Sequence, residues 1–565
     1  MSNLKAHPSK TGSDVRITTV AVDETTRLSA SATPGYSTIN SRPTDVERQN
    51  EQTDDSDTIK TTKALGATIW VLMIGVFVSQ ADTSLVLATY GKISSEFNDL
   101  ESGSWLLSSY MLAMCVSQPL FGKFSDIFGR KNCLQAAYVL FACGTLGSGI
   151  GQSMAQVISA RAVQGLGGAG MVCMVSILLT DLLPFHEVAL YRSYVNVAQT
   201  VGRMCGGVVG GYLASTIGWR WAFLVQIPPV MLSIALVQWN LKVPKQSSDA
   251  ASQQSLRSKF SRIDFVGALL MSSTILSALF TLNMGGQKYA WTDPILIVSG
   301  CVAVVGSMVF LVWERSFAKE PIFPVGLLTR SVVITSYSIL LYQNLAQTAL
   351  MFIVPIYFQV TKNASTAQAG AYLVPAVIGN TVGGLLTGAW IKRQGLNIIL
   401  EVATTCSALS FTLLLVFWRG DTTVFESFLI MPAGFATGVA HSAVFVGLTS
   451  AVQPEEVAIV GSGLYLSGNI GGVTGVSGAA AAFQIALQMG LKNKLEGRSD
   501  SAKIIRKAMS DIYYIRQVPD SLRTLIMPAY ISATQKVFML CLAASLAALV
   551  FGVFTKERNL LRKGS

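Results

Sequence analysis

Long apolar stretches alternate with short polar segments over most of this chain. From about residue 65 to residue 555, apolar runs long enough to cross a bilayer recur, and most of the polar segments between them are short. A hydrocarbon core of about 30 Å needs roughly 20 apolar residues per helical span. Backbone polar groups in lipid must be hydrogen-bonded within their own helix. The pattern therefore predicts an all-α integral membrane protein.

The apolar runs predict fourteen transmembrane helices, with boundaries defined to within several residues. They cover 65–90, 103–121, 132–152, 154–182, 188–214, 220–240, 264–285, 293–313, 332–359, 367–391, 397–418, 423–451, 457–487 and 534–555.

The polar segments divide the chain into domains. Residues 1–63 lack apolar periodicity and predict a disordered cytosolic N-terminal tail. We expect six-helix bundles over 64–241 and 331–556, with a cytosolic linker 242–262 and two additional helices within 263–330 between them, and a cytosolic tail over 557–565.

Lys and Arg in the short loops predict the orientation, because cytoplasmic loops carry the excess of these residues. Counting Arg192 with the loop before the fifth span, the excess places both termini in the cytosol. The Asn363 sequon then falls in an outer loop, where it is a glycosylation candidate. Segment 488–530 is basic and amphipathic, and predicts an outer helix resting on the bilayer surface. A partner-binding arm is the alternative for this segment.

Composition excludes several function classes. Hydrophobic residues make up 51% and charged residues 13% of the chain, against about 25% charged residues in soluble domains. The net charge of +11 comes mainly from helix ends and from 492–523, so nucleic acid is not the expected partner. No nucleotide-binding loop or metal-ligand cluster is present in the sequence, so we expect no enzyme activity, no cofactor and no metal.

A charged segment between the second and third spans carries the most specific motif. It runs Gly122-Lys123-Phe124-Ser125-Asp126-Ile127-Phe128-Gly129-Arg130-Lys131. Gly122 allows helices to approach closely, Asp126 can accept hydrogen bonds from Arg130, and Gly129 allows a tight turn. The segment resembles the conformational loop between helices two and three of the major facilitator superfamily. An ordinary positive-inside loop explains Arg130 and Lys131, but not the placed glycines and Asp126.

Two further segments resemble motifs of the same superfamily. In the fourth span, 161–168 is similar to its Arg-x-x-Gln-Gly-x-Gly motif, and Arg161 needs a carboxylate or a water-filled cavity unless it reaches an interface. The fifth span resembles the signature of proton-driven antiporters, although Gly207 stands in the proline position. Small residues on one face permit close helix packing, and the glycines expected to provide it are Gly202, Gly206, Gly210 and Gly211.

Together these motifs resemble the fourteen-span drug:proton antiporter branch of the superfamily. Segments 81–97 and 219–228 are similar to fungal members grouped with vacuolar basic amino acid transporters. The resemblance implies a proton antiporter of small cationic organic solutes, above all basic amino acids loaded into the vacuole, that works by alternating access. We expect a monomer. A plasma-membrane exporter of drugs or secondary metabolites is the alternative, and a non-transporting membrane sensor is a third interpretation. The expected partners are a small-molecule substrate, protons and the lipid bilayer.

Polar residues within the spans are candidates for binding substrate or protons. Asp82 is the only acidic residue of the first span, and we expect an unpaired carboxylate there that binds a proton or a cation, unless it caps a helix break. An ion pair between Asp82 and Arg203 is the alternative. The other candidates are Arg161, Gln226, Tyr342, Asn344, Gln347 and His441. Hydrogen bonds between helices are the alternative role for Tyr342, Asn344 and Gln347, and packing is the alternative for His441.

Overall fold

The fold comes from a computed structural model. It describes 45–97, 105–183, 185–241, 263–285, 292–318, 321–364, 366–496, 500–510 and 518–554, with a few single residues between these ranges and side chains from Ile69 onward. The linker 242–262, the tail 557–565 and the first 44 residues lie outside the described residues. The chain divides into two units, Met1–Lys60 and Thr61–Ser565, and the membrane-spanning segments belong to the second.

Seven helices form the part of the chain that we name the N-terminal half. They are α1 (Asp45–Glu96), α2 (Trp105–Phe128), α3 (Arg130–Ile150), α4 (Met154–Leu182), α5 (Phe185–Thr216), α6 (Trp219–Leu224) and α7 (Ile227–Asn240). Helices α6 and α7 occupy a single predicted span. It breaks before Pro228 and Pro229, which supply no backbone N–H to the preceding turn.

Two helices, α8 (Phe265–Met284) and α9 (Pro294–Ser316), form a hairpin after the N-terminal half. Helix α8 packs against α2 and α9 packs against α8. Apart from its contact with α8, helix α9 buries few side chains, and its large apolar side chains are exposed. That exposure suits a helix whose surroundings are lipid.

The remaining helices form the C-terminal half. They are α10 (Val325–Leu328), α11 (Ser331–Thr361), α12 (Thr366–Ala371), α13 (Val374–Gln394), α14 (Leu396–Phe417), α15 (Met431–Ala451), α16 (Val457–Lys494), α17 (Ser501–Ser510) and α18 (Asp520–Val553), with 3₁₀ turns at Glu426–Ile430 and Pro454–Glu456.

Twelve of the described segments are long and apolar enough to cross a membrane. Helices α2 and α5 are not among these twelve, although they contain 24 and 32 residues. Both helices have buried polar side chains that face other helices. These side chains lower the mean hydropathy of the helix, although they are not exposed to lipid. With these two, the long helices among the described residues fit the predicted count of fourteen spans.

Three features differ from the sequence prediction, and the first is that α18 begins at Asp520 instead of near residue 534. Helix α1 begins at Asp45, within the segment assigned to the disordered tail, because extending a formed helix costs far less than starting one. Helix α17 covers part of the amphipathic segment, but its buried residues Ile504 and Ala508 pack against the protein core. The Ala508 carbonyl accepts a hydrogen bond from the Tyr530 hydroxyl at 2.8 Å. The apolar side of α17 is therefore covered by protein instead of lying on a bilayer surface.

The two halves meet along α2 with α16 and along α5 with α13. Gly122 lies at the first contact, where an added Cβ would come within 2.9 Å of the Ala458 carbonyl oxygen. At the second contact, the Asn196 side chain donates to the side-chain carbonyl oxygen of Asn380 at 2.8 Å. Asn380 also accepts from the Thr200 hydroxyl at 3.1 Å.

Glycines of α5 pack against α1, as predicted for three of the four. An added Cβ at Gly202 would come within 2.6 Å of the Phe77 carbonyl oxygen, and one at Gly210 within 2.9 Å of Leu85 Cα. Gly206 packs as tightly on Ala81. The prediction for Gly211 is wrong, because nothing lies within 4 Å of an added Cβ there. Residue 211 follows Gly210 by one position and so points about 100° away from the α1 contact.

Candidate transport site

A buried ion pair lies inside the N-terminal half. Arg161 on α4 donates from Nη1 to Asp82 Oδ2 on α1 at 2.5 Å, and both side chains are fully buried. Arg161 also donates from Nε to the Leu106 carbonyl at 3.1 Å. Its guanidinium lies 4.4 Å from the centroid of the Tyr110 ring. Since a charge at this depth is costly, each member of the pair depends on the other.

Two glutamines also donate hydrogen bonds to the Asp82 carboxylate. Gln164 donates from Nε2 to Asp82 Oδ1 at 3.0 Å and accepts from Arg161 at 2.6 Å through Oε1. Gln226 donates to the same Asp82 oxygen at 3.1 Å. Gln226 occupies the break between α6 and α7, so the Pro228–Pro229 pair positions this donor. Gln164 belongs to the motif that carries Arg161, but the sequence alone did not identify it as a ligand of Asp82.

The structure corrects the expected environment of Asp82. The carboxylate is not unpaired, and its partner is Arg161, not Arg203. Arg161 has the carboxylate that the sequence required for it. The three predicted residues Asp82, Arg161 and Gln226 therefore form one network, which we name the buried pair network, and Arg203 lies outside it.

The conformational loop has the predicted local geometry. Gly129 has φ of 88° between α2 and α3, a conformation that favours glycine. Arg130 donates to Asp126 at 2.5 Å and to Asp181 of α4 at 2.9 Å. Lys131 donates to the Gln238 carbonyl of α7 at 2.8 Å. The loop thus ties α2, α3, α4 and α7 together at one end of the N-terminal half.

At that same end, a polar contact closes the space between the halves. Arg192 of α5 donates to the Tyr465 hydroxyl of α16 at 2.5 Å, and Ser176 of α4 hydrogen-bonds to both residues. The Arg192 guanidinium lies 4.1 Å from the Phe445 ring centroid and 3.4 Å from the His441 carbonyl oxygen. We name these five residues the cross-half clamp. Counting Arg192 as a loop residue was wrong, because it is buried within α5.

Further polar contacts between the halves lie toward the end that carries the conformational loop. The Gln118 side-chain carbonyl oxygen accepts from Asn469 at 2.9 Å, and Ser193 donates to the Gly384 carbonyl. Beyond Thr200, the face of α5 that meets α13 reaches Gly207 and Gly211, where an added Cβ would meet no residue of the C-terminal half within 4 Å. On this face, the contact of α5 with the C-terminal half therefore does not continue toward the opposite end.

The polar residues of the C-terminal half do not form one group. Asn344 accepts from His441 Nε2 at 3.2 Å, which brings two predicted residues together. Gln347 accepts from the Thr437 hydroxyl at 3.2 Å, a contact between α11 and α15. Tyr342 stacks on Phe551 of α18, with ring centroids 6.0 Å apart. Tyr342 therefore contributes to helix packing and does not join the Asn344–His441 contact.

Two features mark the end opposite the conformational loop. Asn363 is exposed just after α11 and has φ of 53°. Glu96, beyond the apolar segment Ile69–Thr89 of α1, accepts from Arg220 at 2.5 Å and from the Trp219 indole at 2.6 Å. The hydrogen bonds from Arg220 and Trp219 lower the pKa of Glu96.

Two helical halves that meet along α2–α16 and α5–α13, one of them holding a buried ion pair, have the architecture of transporters in which the halves rock about a central site. The chain belongs to the Major Facilitator Superfamily, whose family model matches residues 72–476.

Curated relatives include fungal transporters. The chain is 30% identical over 516 residues to the vacuolar membrane amino acid uptake transporter fnx2 of Schizosaccharomyces pombe, covering 91% of this chain and 87% of the relative. It is 29% identical to the multidrug resistance protein fnx1 of the same organism, covering 83% and 88%. It is 27% identical to vacuolar basic amino acid transporter 2 of Saccharomyces cerevisiae, covering 79% and 96%.

A solved structure agrees on the fold. The human organic anion transporter MFSD10 (TETRAN) superposes with a TM-score of 0.55 at 14% identity, covering 86% of this chain and 99% of that chain. The superposition supports the fold, while the family model and the curated relatives show that the chain is a multi-pass membrane transporter of the superfamily.

Proposed function

We propose that this transporter exchanges protons for small cationic organic solutes by alternating access, and that its main cargo is basic amino acids moved into the vacuole. The buried pair network carries the proposal. Asp82 is a carboxylate at zero exposure held by Arg161, and a proton bound to Asp82 would cancel the attraction that holds the pair. Proton binding would thereby change the contacts among α1, α4 and α7.

The names of the relatives support the choice of cargo. Two of the three relatives are described as vacuolar amino acid transporters, and one of these names basic amino acids. The third is described as a multidrug resistance protein, which keeps plasma-membrane efflux of drugs or secondary metabolites as the second candidate function. Neither enzyme activity nor a sensor role without transport is part of this proposal.

The proposed arrangement is a monomer with two six-helix bundles, 64–241 and 331–556, and both termini in the cytosol. The conformational loop and the cross-half clamp then face the cytosol. The halves part toward the lumen or the cell exterior. In this conformation the protein would accept or release cargo on the side away from the cytosol.

Transport by purified protein in liposomes tests the proposal. Labelled lysine, arginine and histidine are offered with an imposed pH gradient and again after a protonophore removes it. We expect gradient-dependent uptake by the wild-type protein and its loss in Asp82→Asn. Asp293→Asn is the matched control, because this N-cap of α9 keeps its capping function as Asn. Absence of gradient-dependent uptake, or full activity of Asp82→Asn, would overturn the proposal.

Location separates the two candidate functions. A fluorescent fusion imaged against a vacuolar membrane marker is expected to colocalise with the marker. Plasma-membrane fluorescence together with drug sensitivity of a deletion strain would favour efflux instead.

A further inference from the structure

Arg203 is a charged residue of a membrane-spanning helix that the buried pair network leaves unused. Its Nε atom is buried without a hydrogen-bond partner, and no ion pair joins Arg203 to any residue within the described ranges. The side chain nevertheless keeps partial exposure. An arginine at such depth requires an anion or a water-filled cavity. Arg203 therefore has an unmet requirement for a negatively charged partner.

The register of α5 shows where Arg203 points. Arg203 follows Arg192 by eleven residues, which is about three helical turns, so both side chains share one face of α5. Arg192 reaches the C-terminal half on that face, at the His441 carbonyl and the Phe445 ring. The most exposed apolar residue of the segment, Val208, lies on a different side of the helix. Arg203 therefore lies at the border between the α1-facing side of α5, where Gly210 packs, and the side that faces the C-terminal half, close enough to affect His441 electrostatically.

His441 borders the same space. Arg203 and Arg192 both lie within electrostatic range of its ring. The Asn344 amide donates from Nδ2 to the Leu340 carbonyl at 3.0 Å, which leaves Asn344 Oδ1 to accept from His441 Nε2. In the neutral tautomer with hydrogen on Nε2, the Nδ1 atom is an acceptor. Within the described part of the chain, the hydrogen bond of the His441 ring is made by Nε2, and Nδ1 is not an enclosed atom without a partner, so Nδ1 is accessible to a ligand.

The charge balance of this space is positive. Among the residues described, no carboxylate forms an ion pair with Arg192, Arg203 or His441. Asp82 is enclosed by Arg161 and two glutamines and is fully buried. A solute that carries only positive charge would meet like charge here, whereas a solute with a carboxylate would neutralise part of it.

We propose that Arg203 and His441 form the subsite for the α-carboxylate and α-amino groups of a transported amino acid. Arg203 offers its guanidinium fork to the carboxylate, a geometry that permits two parallel hydrogen bonds. His441 accepts from the ammonium group through Nδ1 while Asn344 holds the ring. The inference rests on the proposed amino acid transport and narrows it, because the cargo must carry a carboxylate as well as a cationic side chain.

Competition against labelled lysine uptake tests the subsite. Unlabelled lysine is compared with cadaverine, which lacks the carboxylate, and with 6-aminohexanoate, which keeps it but lacks the α-amino group. We expect cadaverine to compete at least about tenfold more weakly than lysine, since a charge-assisted pair is lost. Because 6-aminohexanoate keeps the carboxylate, it should compete nearly as well as lysine. Equal competition by cadaverine and lysine would overturn the subsite while leaving cation transport intact.

Substitutions of Arg203 provide the second arm. In Arg203→Gln, unlabelled lysine should compete about tenfold more weakly than in the wild type. Lysine and cadaverine should then compete almost equally well. Arg203→Lys should give an intermediate loss, because lysine keeps the charge without the fork. Arg419→Gln removes an exposed positive charge outside the helices and is the matched control. A Gln variant that discriminates lysine from cadaverine as well as the wild type does would overturn the assignment.

Thermal stability of the purified protein separates this subsite from the transport proposal. Without ligand, Arg203→Gln should not lower the melting temperature, because it removes a charge that has no partner. Added lysine should raise the melting temperature of the wild type and not that of Arg203→Gln. If lysine binds in this way but no gradient drives its uptake, the subsite stands and the antiport proposal fails. If lysine raises both melting temperatures equally, the subsite is refuted.

Discussion

The Asp82–Arg161 pair gives a quantitative prediction about stability. Removing one member of a buried ion pair costs about 3–5 kcal/mol, because the other charge is left uncompensated. Asp82→Asn should therefore lower the free energy of unfolding by this amount, since both side chains have zero exposure. Arg161→Gln should cost less at low pH, because a carboxylic acid can bind a proton whereas a guanidinium does not release one.

The double variant Asp82→Asn/Arg161→Gln replaces the pair by two neutral amides. It should be more stable than the sum of the single losses predicts, with a coupling energy of about 2–3 kcal/mol. The free energy of unfolding is measured by titrating the purified protein from mild detergent into SDS and following tryptophan fluorescence.

The exposed Glu96–Arg220 pair is the internal control for this comparison of single and double variants. Its nitrogen–oxygen distance is the same 2.5 Å, but the side chains are 44% and 37% exposed. Solvent screening limits such a pair to less than about 1 kcal/mol. Equal coupling energies for the two pairs would refute the reasoning that burial sets the magnitude.

Three further predictions concern packing, pH and topology. Gly206→Leu should abolish transport because α1 leaves no room for the side chain, whereas Gly211→Ala should transport normally in the same vesicle assay. Because the pKa of Glu96 is lowered in the folded protein, its contribution to stability is present above about pH 4.5 and is lost as the pH falls through its folded pKa. Glu96→Gln should therefore lose less stability than the wild type between about pH 7 and pH 3, as measured by the melting temperature. Asn363→Gln should remove an endoglycosidase-sensitive mass shift on gels if the loop after α11 faces the lumen, and an unshifted wild-type protein would count against that orientation.

Local sequence patterns predicted the contacts that depend on short separations along the chain. The apolar runs located the spans because lipid imposes a fixed length on each helix. The Gly129 turn and the Asp126–Arg130 pair were predictable because four residues or fewer separate their atoms. Gly202, Gly206 and Gly210 share a face by helical spacing alone.

Contacts between distant helices were not predictable in the same way. Asp82 and Arg161 are 79 residues apart, and the rotation of each helix about its axis decides which arginine reaches the carboxylate. Arg203 was equally plausible as the partner of Asp82 from composition and depth. The Arg192–Tyr465 contact is not predictable, because an arginine near a helix end is interpreted as a topological charge. No signal in the sequence brings it together with a tyrosine 273 residues away.

The cross-half clamp also determines from which compartment the cleft can be reached. Since Arg192, Tyr465 and Ser176 shut one end of the molecule, a bulky compound that does not cross membranes meets a sealed surface there. If the proposed subsite opens to the opposite compartment, the same compound applied there should reach Arg203 and His441. Ligands that do not cross membranes should therefore inhibit from one side of the membrane only. Reversing the orientation of the protein in vesicles should reverse the side to which the inhibitor must be added.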